Sequence, residues 1–363
     1  MMKRILSITA LVALTTICQQ STVSAQTQLS LYQPGVTQNG AVYFLPKTAL
    51  QVSVLVEKTT YTPGEFQRYA QRYLRLNYVA EEPSVGYRLV AVEQMPVAVP
   101  DSTKAFAVKF NNKTSAINVV LNDDGILQAI NAQPVTEPQP KRFTPAPKPE
   151  LPNPRQFMSE EILTAGSIAK MAELTAQEIY DLRDNQKMLI KGQADFMPKD
   201  GAQMQLMLNK MEEQDRALTS LFAGITVRDT MQYVLTVPAD SATVQPQVLF
   251  RLSKHLGLVD VDDYAGVPYY ITIENITSLP PTDELTALKK KKVADGLYVN
   301  VPGKLRSTIL CGNTSSVSDE FPAPQFGNVE LLSGDLFNKH YGTRLWLSPL
   351  TGAIELLEAE QPK

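Results

Sequence analysis

The chain has 363 residues, of which 34 are Lys or Arg, 37 are Asp or Glu and two are His, so its formal net charge is −3. This slightly acidic balance gives no reason to expect a nucleic-acid partner. Only two cysteines are present, which excludes a disulfide-rich scaffold. Stability must therefore come from packing, and a chain of this length can supply it over two or more domains.

The first 25 residues have the pattern of a secretory signal peptide. Two basic residues precede an apolar run at 5–17 that is too short to span a bilayer, and small residues follow it. We expect cleavage between Ala25 and Gln26, with acylation at Cys18 as the alternative. The predicted product is an exported protein of the periplasm, the outer membrane or the cell surface, without a transmembrane segment.

Residues 26–133 predict a β-rich module with one helix. A short apolar run at 40–46 leads into alternating and then continuous apolar residues at 50–56, which predict a buried strand. The sequence Thr-Pro-Gly-Glu at 62–65 is a capping box and predicts a helix start. Asp-Gly at 124–125 predicts a hairpin turn near the end of the module.

The helix predicted after the capping box has two distinct faces. Its core-facing stripe consists of Phe66, Tyr69, Tyr73 and Leu76. Arg68, Arg72 and Arg75 share another face, where three guanidinium groups in line are candidates to contact a phosphate or an anionic glycan. A solvated face with local ion pairs is the alternative interpretation of the same row.

Residues 134–157 predict a Pro-rich linker, because eight prolines lie between 134 and 154. Such a stretch favours extended polyproline II structure and cannot bury a core. We interpret it as a semi-rigid spacer. A Pro-rich ligand for a partner with a groove is the alternative.

Residues 158–223 predict a helical hairpin. Apolar residues recur at steps of three and four from 168 to 189 and from 204 to 222, so each series lies on one helix face. Gly192 predicts the end of the first helix, and Pro198 predicts the first turn of the second. The connection is short enough for the two helices to pack antiparallel.

Three methionines of the second predicted helix, Met204, Met207 and Met211, allow two interpretations. Thioether side chains repack easily and could form an adaptable groove for a partner. Methionine at helical spacing more often fills a core. We expect the second case, in which these side chains pack against the β-rich modules.

Residues 224–363 predict a second β-rich module. Alternating residues at 230–237 and 269–274 predict strands. The segment 247–256 fits either a strand or a short helix that ends at Gly257.

The second module echoes the first. A glycine, a tyrosine, a proline and an apolar strand follow one another at 296–310, as they do at 40–56. A terminal hairpin with a turn at 351–352 echoes the hairpin at 124–125. Because the two echoes occur in the same order, we interpret the modules as an internal duplication.

Catalytic and metal-binding patterns are weak in this sequence. The two histidines lack metal-ligand spacing and stand in no recognisable nucleophile setting. Asp260, Asp262 and Asp263 are candidate calcium ligands, with a solvated turn as the alternative. A carboxylate pair that meets only in the folded protein would suffice for a glycosidase or a peptidase.

Four stretches carry a resemblance to a known family: 40–46, 58–66, 259–266 and 348–356. With them the chain resembles an uncharacterised family of exported proteins from Bacteroides-type bacteria, classed as a domain of unknown function. The resemblance implies an envelope location and brings neither an activity nor site residues. Such bacteria attach glycans at Asp, then Ser or Thr, then a small or apolar residue, which makes Ser102 and Ser241 candidate glycosylation sites.

The sequence therefore predicts an α+β, mainly β fold: two related β-rich modules separated by a Pro-rich linker and a helical hairpin. We expect no cofactor. The favoured function is a non-catalytic interaction or assembly module of the cell envelope that binds an envelope protein partner. The alternatives are a carboxylate-dependent hydrolase, or a protein that binds a glycan or small ligand through aromatics such as Tyr269, Tyr270 and Trp346.

Overall fold

The computed structural model describes residues 36–37, 40–109, 118–136, 143–147, 152–195, 197–198, 200–243, 245–278, 296–311, 315–337 and 342–360. Its strands are β1 (Val36–Thr37), β2 (Gly40–Thr62), β3 (Ser84–Lys109), β4 (Val119–Leu121), β5 (Leu127–Ile130), β6 (Ile225–Pro238), β7 (Gln247–Ser253), β8 (Gly257–Val259), β9 (Val267–Asn275), β10 (Gly296–Cys311), β11 (Ser315–Ser333), β12 (Gly342–Leu347) and β13 (Ile354–Glu360). Its α-helices are α1 (Ala70–Leu74), α2 (Glu160–Leu163), α3 (Ile168–Ile190) and α4 (Gly201–Ala223), and 3-10 turns lie at Gln67–Tyr69, Pro154–Phe157 and Gly334–Phe337. The predicted α+β, mainly β class is confirmed.

The described strands form three sheets with antiparallel pairing. In the first, β2 pairs with β1, β3 and β6; the second has the order β11-β10-β9-β7-β8, and the third β13-β12-β5-β4. Two of these sheets combine strands from both sides of the helical hairpin, because β6 pairs with β2 and β12 pairs with β5. The two predicted modules are thus joined through shared sheets, and the boundaries assigned to them stay predictions.

Prolines mark irregular points in two long strands. The runs predicted at 40–46 and 50–56 belong to one strand, β2, whose pairing with β3 shifts register between Phe44 and Pro46. In β10 the pairing with β11 shifts between Val301 and Gly303, on either side of Pro302. Proline has no N–H to donate, so a bulge accommodates it within a paired strand. The shared position supports the duplication, which remains an interpretation.

The first core lies between the first and second sheets. Alternate residues of β2, namely Leu50, Val52, Val54 and Val56, are buried there as the strand pattern predicts. The second sheet contributes Phe250, Ile271, Ile273, Leu305 and Ile309. On the opposite face of β2, the Ser53 hydroxyl accepts a hydrogen bond from the Gln232 amide at 2.7 Å.

Part of the predicted linker lies against this outer face. The backbone N–H of Phe143 donates to Gln232 Oε1 at 3.1 Å. Further along, the linker forms the 3-10 turn Pro154–Phe157, which Asn153 caps by accepting from Arg155 N. The described pieces of the linker therefore pack against the fold, in addition to connecting the first module to the helical hairpin.

Helices α3 and α4 form the predicted hairpin. The first apolar series is buried from Ala172 to Leu189 except at Gln186, whereas the second is fully buried only at Leu218 and Phe222. Met207 is exposed, and Met204 and Met211 are half-buried, so the expectation that these three side chains of α4 fill a core is wrong. Gly192 follows α3 with φ +71°, as expected of a helix stop. The prediction that Pro198 lies in the first turn of the second helix is wrong, because α4 begins at Gly201. The Asp200 carboxylate caps α4 by accepting from Gln203 N at 2.7 Å. A side-chain acceptor and not proline therefore fixes this start.

The helix predicted after Thr62 is shorter than expected, and the capping box predicted at 62–65 does not form. Thr62 ends β2, and the 3-10 turn that follows begins without a side-chain cap. The N–H of Phe66 donates instead to the Leu221 carbonyl at 2.7 Å. A Cβ on Gly64 would lie 2.2 Å from that carbonyl oxygen, so glycine permits the close approach of β2 to α4.

The second core lies beneath this junction. Phe66, Ala70 and Leu74 are buried against α3 and α4, and the rings of Phe66 and Phe222 lie 5.4 Å apart. Tyr69, Tyr73 and Leu76 are partly buried in the same cluster. The predicted core stripe is thus confirmed although the helix around it is broken.

The ambiguous segment 247–256 is resolved as a strand. β7 covers Gln247–Ser253, and a turn at 254–256 leads to β8. Gly257 adopts φ +81° beside the Tyr87 ring, and the Tyr87 N–H donates to the Lys254 carbonyl at 2.8 Å. The glycine therefore serves a tight strand connection and not a helix end.

The third core joins the starts of β2 and β10 to the third sheet. Tyr43 is buried there, and its hydroxyl accepts from Tyr298 N at 2.8 Å and donates to the Tyr298 carbonyl at 3.1 Å. Asn300 is also buried, and its amide donates to the carbonyls of Pro46 and Thr351. The two echoed motifs thus meet each other in one core.

Tyr43→Phe is expected to lower the free energy of unfolding by about 1–3 kcal/mol at pH 7, because it leaves both polar groups of Tyr298 unpaired. Burial raises the pKa of Tyr43 well above the value of 10.0 that the unfolded chain has. The protonated hydroxyl therefore contributes its full stability below about pH 10, and this contribution falls as the pH rises further. Chemical denaturation of wild type and variant at several pH values from 7 to 11 measures this contribution to the free energy of unfolding.

The exposed Tyr78 supplies the control for this experiment as Tyr78→Phe. We expect this control to change stability little at any pH. A Tyr43→Phe deficit that is constant up to pH 11, or absent at pH 7, would contradict the role assigned to the hydroxyl.

Candidate interaction surface

The best-defined surface feature is the loop between β8 and β9, residues 260–266, which we call the Tyr264 loop. It crosses over β7 at Arg251, which pairs with Val259 of β8 and with Pro268 of β9. The Arg251 guanidinium donates to the carbonyl of Val261 at 2.6 Å and to that of Gly266 at 3.2 Å. One half-buried arginine of β7 thereby holds both ends of the loop.

The loop sequence explains its local shape. Asp260 Oδ1 accepts from Val261 N at 2.7 Å, and Asp263 Oδ1 accepts from Ala265 N at 2.8 Å, so both aspartates form local turns. A Cβ on Gly266 would lie 2.8 Å from Val259 Cγ2 and 3.0 Å from Leu252 N, so a larger residue at the end of the loop would crowd β7 and β8. The loop is therefore held by its own side chains as well as by Arg251.

Tyr264 stands out from this loop with 88% of its surface exposed. The Arg251 guanidinium lies 4.9 Å from its ring centroid, so a cation–π contact orients the ring without covering it. Leu256, Val261 and Val267 are exposed nearby in the chain. We call these four side chains the Tyr264 surface: Tyr264 and Val261 lie on the loop itself, Leu256 lies in the turn before β8, and Val267 begins β9.

Asp260, Asp262 and Asp263 do not come together with other ligands. Among the residues that the structure describes, which include these three, no group of three or more His, Cys, Asp or Glu could hold a metal ion. Two of the three carboxylates instead accept loop N–H groups. The calcium prediction thus gains no support from the geometry, whereas the solvated-turn alternative accounts for the contacts.

The arginine row lies on the surface of the second core. Arg68, Arg72 and Arg75 are all exposed, and Arg72 lies 5.4 Å from the Tyr73 ring. Arg75 adopts φ +56° and ends α1, so it has left the helical row that the sequence predicts. Arg68 and Arg72 remain one turn apart, and contact with an anion stays a prediction for them.

Both candidate glycosylation serines are exposed. Ser102 lies in the irregular stretch of β3 where four residues, 101–104, face the register shift at Pro46. Asp101 closes this stretch by accepting from Thr103 N and Thr103 Oγ1. Ser241 follows Asp240, which forms an ion pair with Lys47 at 2.6 Å. Modification of either serine stays a prediction.

The aromatic candidates for glycan binding are less exposed to solvent than Tyr264. Tyr269 stacks on Phe250 with ring centroids 4.5 Å apart, at the edge of the first core. Tyr270 and Trp346 are half-buried within strands. Sequence reasoning singled out these residues and missed Tyr264 and Arg251, because exposure of a ring depends on how the loop folds.

Several predictions fall on residues outside the described ranges. These are the signal segment with Cys18, the cleavage site between Ala25 and Gln26, and His340. His255 is described and lies exposed in the turn between β7 and β8. In the described part of the chain, no helix has the length and apolar character needed to cross a membrane.

Comparison with known proteins gives a family but no characterised relative. Residues 39–355 match the family described as Domain of unknown function (DUF4831). No curated protein matches the chain, and no solved structure does. The expected resemblance to a domain of unknown function is thereby confirmed, whereas bacterial origin and export stay predictions.

Proposed function

The chain belongs to the DUF4831 family, whose function is unknown, and we propose that it is an exported envelope protein that acts as a non-catalytic interaction or assembly module. The signal-peptide pattern of residues 1–25 and the expected envelope setting support the location. The Tyr264 surface supports the interaction role. A protein partner is the proposed ligand of that surface.

The observation that carries the proposal is the exposed, oriented ring of Tyr264. An aromatic side chain held in place before binding loses little conformational entropy when a partner covers it, which is typical of interface hot spots. Arg251 supplies this order through its two carbonyl contacts and its position beside the ring. Val261 of the same loop, together with Leu256 and Val267 next to β8 and β9, is also exposed and would add to the apolar area that a partner covers.

The rim of the Tyr264 surface indicates the chemistry of that partner. Asp260 and Asp262 are exposed in the same loop, residues 260–266 contain no basic residue, and the Arg251 guanidinium beside the ring already donates to two loop carbonyls. Complementary charge increases the association rate and selects between partners more than it adds affinity. We therefore propose a partner surface with an apolar centre and basic residues at its edge.

Tyr264→Ala is expected to weaken partner binding about thirtyfold, the equivalent of roughly 2 kcal/mol, because it removes the central anchor. The tagged protein is isolated from the envelope of its host, and bound proteins are identified and quantified by mass spectrometry. A stoichiometric protein recovered with wild type and lost with Tyr264→Ala is the expected result.

The matched control is Tyr78→Ala, since Tyr78 is fully exposed but lies outside the Tyr264 surface. This control should recover the partner as wild type does. Equal recovery with Tyr264→Ala and Tyr78→Ala, or recovery of no protein with wild type, would contradict the proposal and favour a glycan-binding or hydrolytic role.

The intact mass of the same purified protein tests the proposed location and modification. Cleavage before Gln26 gives the mass of residues 26–363, whereas acylation at Cys18 gives a longer, lipid-bearing chain. A glycan at Ser102 or Ser241 adds mass that the corresponding Ser→Ala variants lose. An uncleaved and unmodified chain would rule out this export route.

A further inference from the structure

The last strand of the third sheet, β13, has an edge that no described strand covers. The sheet has the order β13-β12-β5-β4, so within the described residues β13 pairs on one side only, with β12. This pairing is regular over residues 356–360, because its register shift lies between Trp346 and Leu347. The other edge therefore presents a row of backbone N–H and C=O groups that is suited to a further strand.

The register shows that the apolar row facing the third core continues onto β13. Leu345 and Leu347 of β12 are buried, and their partners on β13 are Leu357 and Ile354. Residues that pair directly lie on the same face of a sheet. Leu357 and Ile354 are nevertheless 36% and 39% exposed, so the core ends at β12 and leaves this part of the row uncovered.

The opposite face of β13 also carries an exposed apolar side chain. Leu356 is 49% exposed and pairs with Trp346, which is half-buried. A strand added beside β13 would place its own side chains next to those of β13 on both faces of the sheet. β13 thus has the backbone edge and the side chains that strand addition uses.

The charges of β13 indicate which strand fits this edge. Its sequence contains Glu355, Glu358 and Glu360 and no basic residue. Glu358 pairs with Arg344 of β12 at 3.8 Å, whereas Glu355 and Glu360 are exposed and form no ion pair with any residue that the structure describes. Two copies of β13 side by side would bring the glutamates of both copies together, which is unfavourable. The carboxylates instead favour basic residues on the added strand.

We propose that β13 binds an extended segment of a protein partner by strand addition, and that this segment carries alternating apolar and basic residues. The added strand would hydrogen-bond to the free edge over residues 356–360. Its apolar residues would lie beside Leu357, on the face of the third core. Its basic residues would lie on the face of Glu358 and Glu360, where their aliphatic stems also cover Leu356. The contact is separate from the Tyr264 surface and does not depend on it.

A synthetic peptide, Lys-Val-Lys-Val-Lys-Val-Lys with a fluorophore at its start and an amide at its end, tests the proposal. The purified full chain is titrated into it at low salt, and binding is measured by fluorescence anisotropy. We expect saturable one-to-one binding that weakens as salt is added, because exposed charges are screened. The peptide Glu-Val-Glu-Val-Glu-Val-Glu should not bind. Absence of saturable binding by the lysine peptide would overturn the proposal.

Charge reversal on β13 supplies the specific test. Glu355→Lys combined with Glu360→Lys is expected to weaken binding of the lysine peptide about tenfold and to permit binding of the glutamate peptide, because the charges of the two sides are then exchanged. Glu81→Lys combined with Glu82→Lys makes the same change of net charge in the exposed segment before β3. This control should behave as wild type does towards both peptides. Equal weakening in the two double variants would show non-specific charge attraction and overturn the proposal.

Hydrogen exchange separates strand addition from attachment through side chains alone. Amides of β13 that point away from β12 should exchange rapidly in the free protein and slowly when the lysine peptide is bound, since a backbone hydrogen bond protects them. Tyr264→Ala should gain the same protection, because its loop takes no part in this contact. Bound peptide without slower exchange in β13 would contradict strand addition.

Discussion

Asn300→Asp is expected to lower the free energy of unfolding by about 3 kcal/mol or more at neutral pH. Asn300 is 1% exposed, and its Nδ2 donates to the Pro46 carbonyl at 3.0 Å and to the Thr351 carbonyl at 2.8 Å. The substitution replaces this donor with a carboxylate oxygen that faces two carbonyl oxygens. Both carbonyls then lose a partner, and a charge is buried without compensation.

The loss of stability should affect unfolding of the whole chain, because Asn300 connects three parts of the fold. Pro46 belongs to β2 and Asn300 to β10, and Thr351 lies in the turn between β12 and β13. Guanidinium denaturation followed by fluorescence of Trp346, the only tryptophan, measures the change. Asn185→Asp on the exposed face of α3 is the control and should shift stability by less than about 0.5 kcal/mol. A loss below 1 kcal/mol for Asn300→Asp would show that the two carbonyls do not depend on this amide.

Phe222→Ala is expected to lower the free energy of unfolding by about 3–5 kcal/mol. Phe222 is completely buried in the second core, where it packs against Phe66 with ring centroids 5.4 Å apart. The substitution leaves a cavity where α4 meets the segment after β2. Because Phe66 N donates to the Leu221 carbonyl, relaxation into that cavity is restricted by a backbone contact between the two segments.

Two probes separate a local from a global effect of this substitution. Circular dichroism at 222 nm reports mainly on the long helices, and Trp346 reports on the third sheet. Since α4 continues through Gly224 into β6, which pairs along β2, we expect both transitions to shift together. The milder Phe222→Leu should produce a smaller shift of both. A helical transition that separates from the tryptophan transition would contradict this coupling between the helices and the sheets.

Local signals in the sequence predicted the local elements correctly. The steps of three and four in 168–189 and 204–222 gave two helices, and Gly192 marked the end of the first. The Asp-Gly pair gave the hairpin between β4 and β5, with Gly125 at φ +76°. In each case the residues that decide the conformation are neighbours in the chain, so the pattern contains the information.

Elements decided by distant contacts were predicted less well. The capping box at 62–65 is chemically suitable, but the Leu221 carbonyl takes the Phe66 N–H and no side-chain cap forms. β2 continues through Pro46 because its pairing with β3 resumes at this residue after the register shift and outweighs one missing donor. A short motif therefore predicts what a segment can do alone, and tertiary packing decides between the possibilities.

The candidate site shows the same division between local and distant causes. The aspartates of 260–263 are conspicuous in the sequence, yet two of them accept N–H groups within their own loop. The exposed ring of Tyr264 depends on Arg251, which lies on another strand and reaches the loop only after β7, β8 and β9 have paired. Neither the composition nor the spacing of residues in the sequence indicates that Arg251 contacts the Tyr264 ring.

The pairing of β2 with β6 has a consequence for how the chain reaches its native state. Leu50 pairs with Pro96 of β3 on one side and with Val237 of β6 on the other. The second partner comes about four times farther along the chain than the first, and closing the larger loop costs more conformational entropy. Folding rates fall as contacts become less local, so completion of the first sheet should be a late and slow event. Until β6 arrives, one edge of the central strand is open to pairing with other chains, and aggregation should compete with folding at that step.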